Sequence, residues 1–431
     1  MKESFLYYLW ENRLLTGMLQ TASGLPVEIV NTGFRNTDSG PDFLEAKIRI
    51  GGQLWAGQVE IHVRTSDWNR HGHQYDNAYK NVVLHVVYEN DNNVNSIPVL
   101  ELKGHFDASL YGLYEKFMAS QHWIACERHL VEVKEFTKNT WLERMAIGRL
   151  EEKSRNVKKL LETNKFDWED TLYRLLLRYF GMKVNNEAFG TLASLLPLKT
   201  LLKHADNLTQ VEAMLLGCAG FLEIESDEDH PQLLKREFAA MRAKFNLLAM
   251  PVERWKFMRM RPVNFPTVRL AQLAQMIHQH GCLFSKIKTA ETVTEAKKLF
   301  DVTASEYWDT HFRLLPSVGL PHCDSHTHCD SPTKPKHLGE GTADVLMINA
   351  VIPMLFCYGQ FHKDQSYCDK ALCFLGNIAA EDNTIIRHFS NIGWTAENAM
   401  QSQALLYLYN MYCRRKRCLE CSIGNAILRG G

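Results

Sequence analysis

The stretch "SGPDFLEAKIRIGGQLWAGQVEIHV", residues 39–63, decides how the N-terminal quarter of the chain is read. Two runs of alternating apolar and polar residues flank Gly51-Gly52, which predicts an antiparallel hairpin. Pro41-Asp42 opens its first strand and Glu60-Ile61-His62 closes its second. Side chains alternate along a strand, so Glu60 and His62 share a face. Whether Asp42 joins them depends on register. A three-residue loop, Gly51-Gly52-Gln53, sets Asp42 opposite His62 and brings all three polar groups to one face at the open end. A two-residue Gly51-Gly52 turn sets Asp42 opposite Ile61 and turns Glu60 to solvent beside Glu45, Lys47 and Gln58, the cleaner amphipathic hairpin. The sequence leaves both registers open.

Around the hairpin, "ESFLYYLWENRLL" places Leu6, Leu9, Trp10 and Leu14 on one helical stripe. "PVEIVNTG" and "NVVLHVVYEN" read as two more strands, and "YDNAYKN" reads as a helix before the last of them. The expected order for residues 1–107 is therefore helix, three strands, helix, strand: an α/β or α+β domain. From residue 108 strand signals nearly vanish. Helical periodicity runs to about residue 320, as in "TWLERMAIGRLEEKSRNVKKLLE" and "VNFPTVRLAQLAQMIHQHG", and predicts a large all-α region. Residues 321–338 form a His/Cys/Pro-rich loop, and residues 339–431 return to helices before a cysteine-bearing tail.

The chain has 431 residues, 45% hydrophobic and 23% charged, with 49 basic and 49 acidic side chains. Those values describe a globular protein of more than one domain. Zero net charge removes bulk basicity as an argument for nucleic acid, although a local basic face is compatible with it. The start, "MKESFLYYLWENRLL", lacks the pattern of a secretory signal. The longest apolar run, around "VLMINAVIPMLF", falls short of the roughly 18 uninterrupted apolar residues of a membrane span. The 11 cysteines, without a secretory signal, suggest a reducing compartment. The expectation is a cytoplasmic protein with no membrane segment. Neither a P-loop, a dinucleotide fingerprint, a G-x-S-x-G elbow nor an H-E-x-x-H motif occurs.

What remains is the hairpin. Metal-dependent phosphodiester cleavage needs close carboxylates to hold Mg²⁺ or Mn²⁺ and a group to activate water. Asp42 and Glu60 are the candidate metal ligands, with His62 as the candidate group beside the water. "SDWNRHGHQYDNAYKNVVLH" follows directly and supplies His71, His73 and Asp76 as further candidates, then Tyr79, Lys80 and His85. Glu11 on the first helix is a possible extra acid. The bland reading of each histidine is a surface or satisfied core residue.

"PD" at Pro41-Asp42 and "E-x-H" at Glu60-Ile61-His62, set in this element order, resemble the PD-(D/E)xK, restriction-endonuclease-like nuclease superfamily. The resemblance implies a metal-dependent nuclease acting on DNA or RNA. His62 stands where that superfamily usually has the lysine that orients or activates water, and Lys80 could replace it spatially. The alternative is a catalytically inactive nuclease fold serving as a nucleic-acid-binding or protein-interaction scaffold. Longer stretches, among them "SGPDFLEAKI", "WAGQVEIHVRTSDWNRHGHQYDNAYKNVVLHVVYEND", "RMRPVNFPTVRLAQLA", "AEDNTII" and "YCRRKRCLECSIGNAIL", resemble a bacterial family found largely in Bacteroidetes and labelled domain of unknown function 2851. That resemblance carries no activity to transfer.

Cys413, Cys418 and Cys421 have the spacing C-x4-C-x2-C. Thiolates so placed can bind Zn²⁺ or an iron–sulfur cluster, each of which wants about four ligands. Cys126, Cys357, Cys368 and Cys373 are candidates for the fourth. Some nucleases of the PD-(D/E)xK superfamily hold an iron–sulfur cluster with a C-terminal cysteine group. The intervening "RRKR" would offset thiolate charge or contact phosphate. His322, Cys323, His326, His328 and Cys329 are ligand types in a Pro-rich loop, where adventitious binding explains them as well. Arg259, Arg261 and Arg269 suit either phosphates or internal ion pairs.

Overall fold

Leu6, Leu9 and Trp10 are fully buried on the first helix, α1 (Glu3–Glu11), in the computed structural model of the chain. The structure describes residues 1–92, 97–314 and 334–430. Leu14, expected on the same stripe, lies past the helix end. Arg13 takes φ +51°, its N–H bonds the Trp10 carbonyl at 3.1 Å, and the Leu14 N–H bonds that of Leu9 at 2.9 Å. This pair of bonds is a Schellman stop, which satisfies two carbonyls the helix would otherwise orphan.

A mixed sheet follows: β1 (Val27–Asn31), β2 (Phe34–Arg35), β3 (Phe43–Ile50), β4 (Gln53–Arg64), β5 (Val82–Glu89) and β6 (Val99–Glu101). The strand order is β1-β3-β4-β5-β6, with β2 also on β3. β3 is antiparallel to β1, β2 and β4, whereas β4, β5 and β6 run parallel. β2 and β6, at two and three residues, are too short to carry a pattern in sequence. The helix expected from "YDNAYKN" is absent. In its place α2 (Asp67–Arg70) is followed by single 3₁₀ turns, His73–Tyr75 and Asn77–Tyr79. Asp76 restarts the chain between them, its Oδ1 accepting the Ala78 N–H at 2.9 Å.

The hairpin takes neither expected register along its whole length. Ile50 pairs with Gln53, so the turn has two residues, with Gly51 at φ +58° and Gly52 at +89°. Further out, Ala46 pairs with Gly57 but Phe43 with Val59, so Leu44 and Glu45 together oppose Gln58. This is a β-bulge, with Glu45 at φ +57°. One extra residue inverts the parity of everything beyond it, and continuing the register by one sets Asp42 across from Glu60. Gly33 holds the bulge from the side: it has φ +83°, and a Cβ there would stand 2.4 Å from the Leu44 carbonyl oxygen. Gly33→Ala is therefore expected to cost about 1–3 kcal/mol in a urea or thermal melt. An unchanged melt would show that the bulge yields freely.

Two compact units divide the chain, residues 1–141 with 409–431, and residues 142–408. The sequence reading draws its first boundary after residue 107 and assigns 108–141 and 409–431 to helical regions. Both segments belong to the first unit. α3 (Ala108–Ala119) is followed by Trp123, which stacks on Tyr409 with centroids 4.7 Å apart. Lys416 Nζ donates to the carbonyls of Met118 at 2.7 Å and Ser120 at 3.0 Å. These partners are distant in sequence, and helical periodicity alone cannot reveal them.

The second unit is largely helical, with a continuous core that includes Leu176, Leu192, Leu215, Leu273, Met347, Leu355 and Phe374. Its helical stretch Glu340–His362 has 23 residues and is long and apolar enough to cross a membrane by length and composition, although 67% of its most apolar window is buried in the protein. The sequence reading did not expect such a stretch, because the apolar run is short and carries Pro353. A π-turn over Met347–Val351, with the Ile352 N–H on the Met347 carbonyl, precedes Pro353, which sits in the first turn of the following helical segment, where its missing N–H costs least. His322, Cys323, His326, His328 and Cys329 lie outside the described residues.

Candidate metal centre

The outer half of β4 is buried on both faces: Val59 and Ile61 on one, Glu60 at 4% exposure and His62 at 2% on the other. A buried carboxylate and imidazole are costly unless partnered. α2 and the turn after it fold back over this side and bring His71 and His73 to them. Glu60 Oε1 lies 3.3 Å from His62 Nε2 and 3.2 Å from His73 Nε2. His71 Nδ1 is 3.2 Å from His62 Nε2, and His85 Nε2 from β5 is 2.9 Å from His62 Nδ1. Ligand atoms of His62, His71 and His73 all lie within 4.8 Å of one another.

Asp42 joins through the bulge. Its Oδ2 accepts the Ile61 N–H at 2.9 Å, and its own N–H donates to Glu60 Oε2 at 3.1 Å. Each carboxylate thus bonds the backbone of the other's strand. Tyr7, from α1, hydrogen-bonds Asp42 and is itself raised, first by burial and then by that carboxylate. His73 is clamped between rings, stacked 3.8 Å from Tyr79 and edge-on to Trp68 at 5.3 Å.

Electrostatics make this cluster frustrated as it stands. Burial, reinforced by the Asp42 charge, pushes the Glu60 carboxyl up to about 9. Burial pushes Asp42 up to about 6, opposed by the Ile61 N–H and the Tyr7 hydroxyl. Burial and then the neighbouring imidazoles hold His62 far below its ordinary value, and His85 is held down to about 4 by burial and His73. His73 is lowered by burial and by His71. His73 Nε2 is buried and makes no hydrogen bond, although Glu60 Oε1 is 3.2 Å away. Neutral imidazole nitrogens aimed at a buried acid form a donor set that fits a bound cation, which would let Glu60 ionise.

The structure brings together Asp42, Glu60, His62, His71 and His73. It keeps Asp76 at the surface as the cap described above. Lys80 is exposed and lines a different cleft, with Trp55 and Gln58. Glu11 is exposed at the end of α1. The acid of α1 that influences the site is Glu3, whose charge raises both Asp42 and Glu60. Glu3, Tyr7 and Trp68 were not singled out in the sequence, and His85 was noted without a role. Glu3 and Tyr7 stand one helical turn apart, and His85 is a lone polar residue in the apolar run "VVLHVVY", where a buried imidazole must find a partner.

The other candidates separate. Cys413, Cys418, Cys421 and Cys126 lie in the first unit, whereas Cys357, Cys368 and Cys373 lie in the second. Arg269 is 3% exposed, bonded to Gln272, Asn264 and Thr342 and held down to about 10 by burial. It is an internal structural cation. Arg259 and Arg261 instead line an open cleft of about 1370 Å³ in the second unit, together with Arg178, Lys183, Arg254 and Lys256.

No curated protein and no solved structure matches the chain. The profile of a family described as "Protein of unknown function (DUF2851)" does match, over residues 3–384, and stops short of the cysteine tail. With nearly nine-tenths of its length covered by that match, the chain belongs to the DUF2851 family.

Proposed function

We propose that the protein is a metal-dependent phosphodiesterase of the nuclease type, acting on DNA or RNA, with Asp42, Glu60, His62, His71 and His73 as its working residues. The observation that carries this reading is the convergence of Glu60 Oε1 with the facing nitrogens of His62 and His73, at 3.3 and 3.2 Å, beside the exposed His71. The element order supports the reading: a helix, then antiparallel strands with paired acids at the mouth of a hairpin, then a parallel strand. Imidazole-rich donors favour Mn²⁺ or another transition ion over Mg²⁺, which prefers oxygen.

A divalent cation, when bound there, would supply Lewis-acid polarisation of the phosphate and a more acidic attacking water. Glu60, His62, His71 and His73 would hold it. Asp42, poised near neutrality at about 6, is the residue matched to accept the water's proton. His62 cannot copy the cationic role of the superfamily lysine, because its surroundings keep it neutral. It offers a lone pair instead, and His85 fixes its ring orientation from behind.

The cleft in the second unit supports a polyanionic substrate. Among the described residues none of Arg178, Lys183, Arg254, Lys256, Arg259 and Arg261 enters an ion pair, and the cleft's acids are Glu187 and Glu381. In a chain with no net charge, six unpaired cations around one cleft are a phosphate-binding footprint. The same cleft favours a second reading, a scaffold that binds nucleic acid without cutting it. One assay separates the two. Single- and double-stranded DNA and RNA are incubated with the full chain and Mn²⁺, with and without chelator. Cleavage that disappears on chelation, and in a folded Asp42→Ala variant, is the expected result. Retained but intact substrate across metals and pH would leave the scaffold reading standing and remove the enzymatic one.

A further inference from the structure

Three separate pieces of chain meet around the cysteine tail. Cys126 begins the 3₁₀ turn Glu127–Glu132, which packs against the terminal helix Ser422–Leu428. Cys421 is the residue that opens that helix, and Cys418 opens the 3₁₀ turn Cys418–Glu420 packed beside it. Cys413 ends the π-turn Tyr409–Cys413, tied down by the Trp123–Tyr409 stack and by Trp141 against Tyr412 at 5.4 Å. The approach is close enough to require glycine: a Cβ at Gly424 would stand 2.2 Å from the Cys418 carbonyl oxygen. The basic run between the cysteines serves the same anchoring, with Lys416 on the Met118 and Ser120 carbonyls and Arg417 paired with Glu420.

The four sulfurs sense one another. Ionisation of Cys413 is opposed, after burial, by Cys421, Cys126 and Cys418; that of Cys126 by Cys421 and Cys418; that of Cys418 by Cys421. Cys418 and Cys421 are buried, and none of the four is in a disulfide. The backbone N–H groups of Gly424 and Ile423 lie beside the Cys421 sulfur, whose ionisation burial opposes. Four free cysteines, one from a distant stretch of chain and three from the tail, sit on elements packed against one another and supply the ligand count of one thiolate metal centre.

We infer that Cys126, Cys413, Cys418 and Cys421 are the four thiolate ligands of one metal centre, and that Cys126 completes the set begun by the C-x4-C-x2-C tail. Both zinc and an iron–sulfur cluster share this ligand chemistry. Each thiol gives up its proton on binding, and the metal takes the sulfur lone pair. Among the described residues, the group converging within 4.8 Å is the histidine one and not these sulfurs. A single Zn²⁺ at about 2.3 Å from each sulfur would draw them inside that distance, whereas an iron–sulfur core takes more widely spaced ligands, and metal analysis separates the two. This site is independent of the proposed nuclease centre and survives if that centre proves inert.

The test is metal and acid-labile sulfide analysis of the full chain purified without oxygen, with X-ray absorption of the bound metal. Iron with matching sulfide and visible absorption identifies a cluster; one zinc per chain without colour identifies a mononuclear site. Either supports the four-thiolate centre if the metal sees sulfur ligands. Cys126→Ser should lower bound metal by about tenfold or more, whereas Cys373→Ser, exposed in the second unit, should leave it unchanged. If Cys126→Ser fails to fold, sulfur-only coordination in the wild-type absorption spectrum still decides. A wild-type chain without this metal, nitrogen or oxygen ligands around it, or full retention in a folded Cys126→Ser, overturns the assignment.

Discussion

Glu60→Gln should reduce Mn²⁺-dependent cleavage by about a hundredfold or more, the scale on which losing one charge-stabilising group disables an active site. Glutamine keeps the shape, and its amide can still face the Asp42 N–H, but it cannot carry the charge that a cation between Glu60, His62 and His73 requires. Stability separates this loss from misfolding. In the metal-free protein Glu60 holds its proton up to about 9, against 4.5 for the ordinary side chain. Between those values the folded state binds more protons than the unfolded one, so Glu60's contribution to stability falls as pH rises. Glutamine behaves as the protonated acid at every pH. The metal-free variant should therefore melt no lower than wild type at about pH 8 and lose less on going from about pH 5 to pH 8. Added Mn²⁺ should raise the melting temperature of wild type and not of the variant. Wild-type Mn²⁺ affinity in Glu60→Gln would remove Glu60 from the site.

His62→Lys is the second large effect, and its sign is informative. On motif alone this change completes the PD-(D/E)xK pattern and should improve a nuclease. The geometry argues the reverse. His62 is 2% exposed, with His85 2.9 Å from one nitrogen and His71 and Glu60 at 3.2 and 3.3 Å from the other. A lysine ammonium placed there would pair with Glu60 and occupy the position of the cation, while leaving His85 without its ring partner. Metal affinity should fall by about 10–100-fold or more, and cleavage with it. Calorimetric titration with Mn²⁺ beside a cleavage assay reads both. Faster cleavage by His62→Lys would show that His62 is a displaced motif lysine and not a ligand.

The sequence exposes much of this arrangement and hides its decisive step. Gly51-Gly52 announces a tight turn, and of the two lengths the sequence leaves open the two-residue one is present. The bulge that returns Asp42 to Glu60's level rests on Glu45 in a left-handed conformation, and a glutamate announces nothing of the kind. Its only trace is Gly33, whose role depends on a neighbour across the sheet. His71 and His73 were visible as a cluster because they sit one residue apart, close behind the acid strand. Asp76, equally visible, is taken up by a local cap, a use that competes for every aspartate in a turn. Cys126 could not be chosen over Cys357, Cys368 or Cys373 by spacing, because only the chain's return to the first unit singles it out.

That return also fixes an order of events during synthesis. Residues 409–431 leave the ribosome after all of residues 142–408. At typical bacterial or eukaryotic elongation rates the interval is on the order of tens of seconds. The second unit has every residue it needs before residues 409–431 are made, while the sheet-bearing first unit waits for that helical tail to complete its packing. A nascent chain stalled anywhere in the second unit carries Cys126 without its three companions and α3 without the segment that covers it. Completion of the first unit thus waits on synthesis of the whole second unit.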